Sequence, residues 1–221
     1  RFQIQRRTMH LISRIEKRSS GRYQVLLEGE DSFPLYYKEL RQYGIEEGGV
    51  LTEQSYQEIM MELLPVRAKK KALHLLERMD RTEQQLYRKL ADGGYPDQVA
   101  KEAVDYVKSY HYIDDVRYAR SYIESRKAAK SLRQIERELY QKGITREDFQ
   151  CAAVQLEAPD EEQQILSWIE KKRFCVARAD RKETDRFIRF LLYRGYGMAV
   201  IQKVLRECAK FADENVELHK N

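Results

Sequence analysis

Residues 135–156 read IERELYQKGITREDFQCAAVQL, and the fold turns on the single glycine near their middle. Ile135 and Leu139 stand eight and four residues before Gly143, while Phe149, Ala153 and Leu156 stand six, ten and thirteen after it. Apolar residues at these spacings mark one face of an α-helix on each side of a break. A glycine at the break suits the left-handed backbone that ends a helix. The same frame occurs twice more. Around Gly94, in LYRKLADGGYPDQVAKEAVDYV (86–107), the positions hold Leu86, Leu90, Ala100, Val104 and Val107. Around Gly195, in FIRFLLYRGYGMAVIQKVLREC (187–208), they hold Phe187, Leu191, Ile201, Leu205 and Cys208. The glycines are 49 and 52 residues apart, the signature of an internal repeat.

The helix starts agree with the frame. Thr82 and Ser131 each stand twelve residues before their glycine, with Gln85 and Gln134 three residues further on. That is the spacing of a capping box. Thr184 stands in nearly the same place in the third unit. A further helix precedes each pair, with apolar stripes Leu73/Leu76/Met79, Val116/Ala119/Ile123 and Ile165/Trp168/Ile169. Each unit is therefore predicted to be a three-helix bundle. Three such repeats in tandem, each contacting its neighbour, make an elongated, solenoid-like, mainly α array. The third repeat carries a longer linker, RFCVARADRKE (173–183), between its first two helices.

The N-terminal part differs. HLISRIEKRSSGRYQVLLEGEDSFPLYY (10–37) reads as short strands with turns at Ser19-Ser20-Gly21 and at Glu28-Gly29-Glu30. A helical stretch from Lys38 to Tyr43 stops at Gly44, Gly48-Gly49 breaks the chain, and Thr52 starts a helix to about Leu64. Pro65 then marks a boundary. The expected organisation is an upstream extension at 1–8, with Met9 as the natural start, and a β-rich module closed by helices at 9–65. Repeats follow at 66–113, 114–159 and 160–212, with a tail at 213–221.

Composition narrows the function classes. Of 221 residues 35% are charged, and no apolar run approaches the roughly 18 residues of a membrane span. Cys151, Cys175 and Cys208 have neither disulfide-framework nor zinc spacing. Cys151 and Cys208 fall on the apolar stripes and read as buried thiols in a reducing cytosol. No phosphate-binding glycine loop, GxSxG or HExxH is present, so neither catalysis nor a cofactor is expected. Net charge is only +5, but positive charge recurs: 8 Lys/Arg against 3 Asp/Glu over 67–89, and 9 against 3 over both 117–146 and 171–194. Each block alone is an ordinary solvated face; their recurrence suggests a shared basic surface.

The segment DDVRYARSYIESR (114–126) offers the most pointed chemistry. Adjacent helical residues face different ways, so Asp114 and Asp115 are not placed to share a proton or a metal. They read as a helix start, set against free amides and the positive end of the dipole. Asp115, Tyr118, Tyr122 and Arg126 form a stripe beside the core stripe, suited to packing against a neighbouring repeat. Arg120 and Glu124 are spaced to pair, whereas Arg117 has no acid four residues on and is the better candidate for an external contact. Two binding readings stand at this point. Basic faces could track phosphates, with steep salt dependence, or the array could match an extended or acidic protein partner.

The same segments resemble the RecX regulators of the RecA recombinase, over roughly residues 66–210. DDVRYARSYIESR is similar to the family's central motif through Asp114, Asp115, Arg117, Ala119, Tyr122 and Arg126. RTEQQLYRKLADGGY matches its first-repeat motif through Arg81, Leu86, Lys89, Leu90 and Gly94. IERELYQKGI matches the second through Ile135, Glu138, Leu139, Lys142, Gly143 and Ile144. Met79 and Ser131 depart from the family pattern, where Arg and Gly are frequent, and the third repeat matches loosely. The N-terminal module looks like the one many Gram-positive members carry. The resemblance implies a cytoplasmic, monomeric, non-enzymatic modulator of DNA repair and recombination. It would lie in the groove of the RecA–DNA filament and suppress ATP hydrolysis and strand exchange. Arg81, Arg88 and Lys89 in repeat one, and Arg117, Arg120, Arg126, Arg133 and Lys142 in repeat two, are the candidate contacts with the filament or its single- or double-stranded DNA. The alternative is a basic helical-repeat protein that binds DNA or another assembly without RecA.

Overall fold

The computed structural model describes residues 9–18, 21–29, 31–154 and 156–218. The expected extension at 1–8, Ser19 and Ser20 of the first turn, Glu30 of the second and residues 219–221 lie outside the described residues. The chain divides into two compact units, 1–114 and 115–221. Among the described residues no helix is long and apolar enough to cross a membrane.

The first unit joins a sheet to the first repeat. Strands β1 (Met9–Lys17), β2 (Arg22–Leu27), β3 (Ser32–Tyr36) and β4 (Val50–Thr52) form an antiparallel sheet in the order β3-β2-β1-β4. Ile12, Val25, Leu27, Phe33, Leu35 and Leu51 are buried from it. Helix α1 (Tyr37–Gln42) follows β3 directly. Helix α2 (Glu53–Glu58) starts where expected, its Ser55 amide donating to the Thr52 hydroxyl at 3.2 Å.

Pro65 does not end that helix. A wide π turn, Ile59–Leu63, carries α2 straight into α3 (Leu64–Arg78). Pro65 sits in the first turn of α3 and is buried. Proline lacks an amide donor and its ring crowds the carbonyl four residues back. A π turn just upstream widens the helix there, so the ring is accommodated. The stripe shifts with it: Leu64, Ala68 and Ala72 are buried, Leu73 and Leu76 only partly, and Met79 lies past the helix end, 57% exposed. With α4 (Glu83–Asp92) and α5 (Asp97–Ser109) these residues make one core that runs from Ile12 of the sheet to Ile113. The sheet and the first repeat thus share a core, and nothing of the chain between them is a linker.

The second unit holds two repeats. These are α6 (Asp115–Arg126), α7 (Leu132–Gln141) and α8 (Arg146–Ala153), then α9 (Glu161–Lys172), α10 (Arg181–Tyr193) and α11 (Met198–Leu218). Helix α11 continues through 213–218, where the sequence suggested a tail. The glycine frame holds in all three repeats. Gly94, Gly143 and Gly195 have φ of +87°, +95° and +93°. After each, the next residue's amide returns to the carbonyl of the buried leucine five residues back: Tyr95 to Leu90, Ile144 to Leu139, Tyr196 to Leu191. This is a Schellman-type end with its hydrophobic contact, and all six of those residues are buried.

Two helix starts and two thiols depart from expectation. Helix α10 is capped by Asp180 in a full capping box with Glu183, and Thr184 lies inside the helix. Ser131 caps α7, but Gln134 reaches forward to Glu138 instead of back to the cap. Cys151 is exposed, because Ala152 takes the buried place on α8; Cys208 packs against its core but is only half-buried, short of the burial expected.

The two repeats of the second unit keep separate apolar cores, one around Ile135 and Leu139, the other around Leu191 and Tyr196. Polar contacts join them. The Ser131 hydroxyl donates to the Arg194 carbonyl at 2.6 Å, Arg137 donates to the Tyr193 carbonyl at 2.9 Å, and Gln164 donates to the Lys127 carbonyl at 2.6 Å. Gln164 and Ser131 are both buried. Helix ends leave carbonyls without intrahelical partners, and here side chains of the adjoining repeat satisfy them.

Candidate functional site

Helix α6 presents the central motif. Asp115 is its first residue and is 8% exposed, with Asp114 just before it, so the aspartates mark a helix start as expected. Ala119 and Ile123 are buried and Val116 is half-buried on the core face. Tyr118 and Tyr122 stack with ring centroids 6.3 Å apart. Both pack against the core of their own repeat, which the sequence had assigned to a contact with a neighbour.

Tyr122 is the centre of a polar cluster. Its hydroxyl donates to Glu138 Oε2 at 2.8 Å. Glu138 also accepts from Lys130 at 2.7 Å and from Gln134 at 3.2 Å. Two candidate contact residues flank the ring: the Arg126 guanidinium lies 5.7 Å and the Lys142 ammonium 5.4 Å from its centroid. Burial and the hydrogen bond to the Glu138 carboxylate push the Tyr122 phenol up to about 12. Burial also pushes the Glu138 carboxyl up, but hydrogen bonds from Lys130 and Tyr122 outweigh it and hold Glu138 below the ordinary value.

These shifts have opposite pH consequences. Between the ordinary tyrosine range near 10 and the folded value near 12, the unfolded chain releases the Tyr122 proton first, so stability falls as pH rises through that window. At the acid side, Glu138 contributes stability that is lost as pH drops below the ordinary carboxylate range. Alkaline denaturation followed by helical circular dichroism is expected to begin near pH 10 in the native chain. In Tyr122→Phe the slope across pH 10–12 should be shallower; an identical slope would remove Tyr122 from that role.

The eight candidate contact residues divide by exposure. Arg88, Lys89, Arg117, Arg126 and Arg133 are exposed; Arg81, Arg120 and Lys142 are half-buried. The Nε atoms of Arg81 and Arg120 are buried without a hydrogen-bond partner among the described residues. Glu124 pairs with Lys127 at 2.9 Å, where the sequence suggested Arg120. Arg117 makes an interaction within the chain. In the first unit Arg67 is withdrawn from any basic face: it pairs with Glu39, donates to the Pro34 carbonyl and lies 4.7 Å over the Tyr36 ring. Lys130, Gln164 and Arg194 are the residues that sequence reasoning passed over. Arg194 stacks on Trp168 at 3.9 Å and on Phe190 at 4.7 Å. Its place next to the third glycine was the available signal.

Comparison with known proteins places this geometry. Residues 68–106, 114–152 and 160–205 match the first, second and third three-helix domains of RecX. The regulatory protein RecX of Caldanaerobacter subterraneus is 29% identical over 197 residues, covering 88% of this chain and 98% of that protein. That of Vibrio campbellii is 32% identical over 150 residues, covering 67% of this chain and 93% of its own length. A crystal structure of a regulatory protein RecX, 25% identical, superposes with a TM-score of 0.58 over 88% of this chain and 98% of that one.

Proposed function

This chain belongs to the RecX family, and from that premise we propose that it is a non-enzymatic regulator that binds the RecA–DNA filament. It lies in the filament groove and restrains ATP hydrolysis and strand exchange, acting in the cytoplasm in DNA repair, recombination and the SOS response. The observation that carries this reading is that all three repeats match the family in order, with the central motif, its Tyr122–Glu138 cluster and the flanking Arg126 and Lys142 together on the second. A RecA–DNA filament is polyanionic along its DNA, and exposed cations on separate repeats suit it.

Exposure selects the residues for the test. Arg88, Lys89, Arg126 and Arg133 are exposed. Replacing all four with alanine is expected to weaken co-sedimentation with RecA–single-stranded-DNA filaments tenfold or more. Relief of ATPase inhibition should follow, with the thermal midpoint nearly unchanged. A folded quadruple variant that still inhibits fully would remove these residues from the contact. Equal binding of the native chain to bare DNA and to filament would instead favour a DNA-binding repeat protein that acts without RecA.

A further inference from the structure

The long linker of the third repeat lines an open pocket of about 500 Å3 between the end of α9 and the first turns of α10. Its lining includes four cations, Lys172, Arg173, Arg178 and Arg186, and three phenylalanines, Phe174, Phe187 and Phe190. None of the four cations makes an ion pair among the described residues. The one carboxylate in the lining, Glu183, is occupied: it accepts from the Asp180 amide at 3.1 Å in the capping box of α10. With four cations against one carboxylate, the lining carries a net positive charge.

The aromatic part of the lining is ordered. Phe174 stacks on Phe187 with centroids 4.2 Å apart and planes 13° apart, and Phe187 stacks on Phe190 at 6.0 Å. Phe174 is half-buried, so part of its ring meets the pocket. The backbone adds a second sign of use. Arg173 ends α9 in the left-handed conformation, φ +50°. Gly94, Gly143 and Gly195 serve the equivalent conformation elsewhere in the chain. A side chain is disfavoured there, yet this helix end keeps one, and it is a guanidinium at the pocket rim.

A ligand that uses both halves must be flat and apolar at one end and anionic at the other. Inorganic phosphate has no use for three phenyl rings, and an uncharged aromatic has none for four cations. We propose that this pocket is a nucleotide site: a base stacks against Phe174, and the phosphates are held by Arg173, Arg178, Arg186 and Lys172. Bases stack on aromatic side chains whatever their identity, guanidinium groups take phosphate oxygens in pairs, and a mononucleotide falls within the usual capacity of pockets of about 300–1,000 Å3. The nucleotide can be free or part of a single strand, since both present the same base and phosphate. The proposal does not depend on filament binding and uses none of the residues assigned to it.

Equilibrium dialysis of the full chain without recombinase tests it, with ADP and a twelve-nucleotide thymidine strand as separate probes and inorganic tripolyphosphate as the control anion. Saturable binding of ADP or of the strand is expected, and the tighter of the two identifies the source. Arg178→Glu/Arg186→Glu, both exposed positions, should weaken it tenfold or more. Phe174→Leu keeps apolar bulk, so the fold is retained while the stacking face is lost; it should weaken nucleotide binding about fivefold and leave tripolyphosphate unchanged. The proposal fails if neither nucleotide probe saturates, or if tripolyphosphate competes as well as ADP and Phe174→Leu has no effect. It also fails if an acidic, tyrosine-containing peptide occupies the pocket while both nucleotides do not.

Discussion

Leu139→Ala is expected to lower the stability of the unit spanning 115–221 by about 2–5 kcal/mol, the range for removing a fully buried leucine side chain. Leu139 is 0% exposed and lies in a small core whose other buried members are Ala119, Ile123, Ile135, Ile144, Phe149 and Ala152. Two of those are alanines, so few side chains are large enough to relax into the space left behind. The loss is also structural at the helix end. The Leu139 carbonyl accepts the Ile144 amide at 3.1 Å, and the two side chains pack together to seal the turn at Gly143. Loosening the core therefore loosens the turn that brings α7 and α8 together. Against a total stability of about 5–15 kcal/mol for a domain, such a loss is large. Urea titration read by helical circular dichroism measures it. A shift below about 1 kcal/mol would mean that the repeat does not depend on its own core. Leu90→Ala in the first unit is the useful contrast. Leu90 is equally buried, but its core extends through the sheet to Ile12, and larger neighbours such as Tyr95 surround it.

That contrast also shows which parts of the fold were legible in the sequence. The glycine frame was, because it rests on local physics: a positive φ, an apolar residue at each helical step, and a returning amide. Leu86, Leu90, Ile135, Leu139, Phe187 and Leu191 all occupy the buried places the spacing assigned. Pro65 was not legible. Its meaning depends on the π turn just upstream, which the sequence does not announce. Ala68 and Ala72 were passed over as core for a related reason: a helix pressed close to its neighbours buries small residues, and alanine carries little hydrophobic signal. Asp180 was legible and overlooked. Asp180 and Glu183 in ADRKE have the capping-box spacing, and the helix starts there, four residues before the Thr184 that the repeat frame points to. At the candidate site, sequence spacing brought Tyr122 and Arg126 to one stripe, and the structure keeps them together. It could not show that Glu138 and Lys130, from the next helix and the loop before it, close around the tyrosine hydroxyl.

Gly195→Ala is expected to destabilise the same unit by about 2–4 kcal/mol, and the way that cost arises identifies how the second and third repeats are joined. Backbone conformation supplies about 1–2 kcal/mol, because φ of +93° disfavours any side chain. The remainder comes from what the methyl group would meet. It would stand 2.7 Å from the Ser131 hydroxyl oxygen, 3.1 Å from the Arg133 Cβ and 3.2 Å from the Gln134 amide nitrogen. Ser131 cannot turn aside cheaply. Its oxygen already accepts the Gln134 amide that starts α7 and donates to the Arg194 carbonyl, and losing a cap of this kind costs about 1 kcal/mol. Two comparisons separate the contributions. Gly48 also has positive φ, +73°, but nothing lies within 4 Å of an added methyl, so Gly48→Ala should cost the backbone share alone. In a Ser131→Ala background the hydroxyl is gone, and Gly195→Ala should then cost measurably less than in the native chain. Residues in contact show such non-additivity, commonly 0.5–3 kcal/mol, whereas independent ones do not. Strict additivity of the two substitutions would mean that Gly195 is required for its φ alone. A double substitution costing less than the sum of the two would mean that the third repeat docks on the second through backbone held close to a helix cap, with the glycine as the place where no side chain fits.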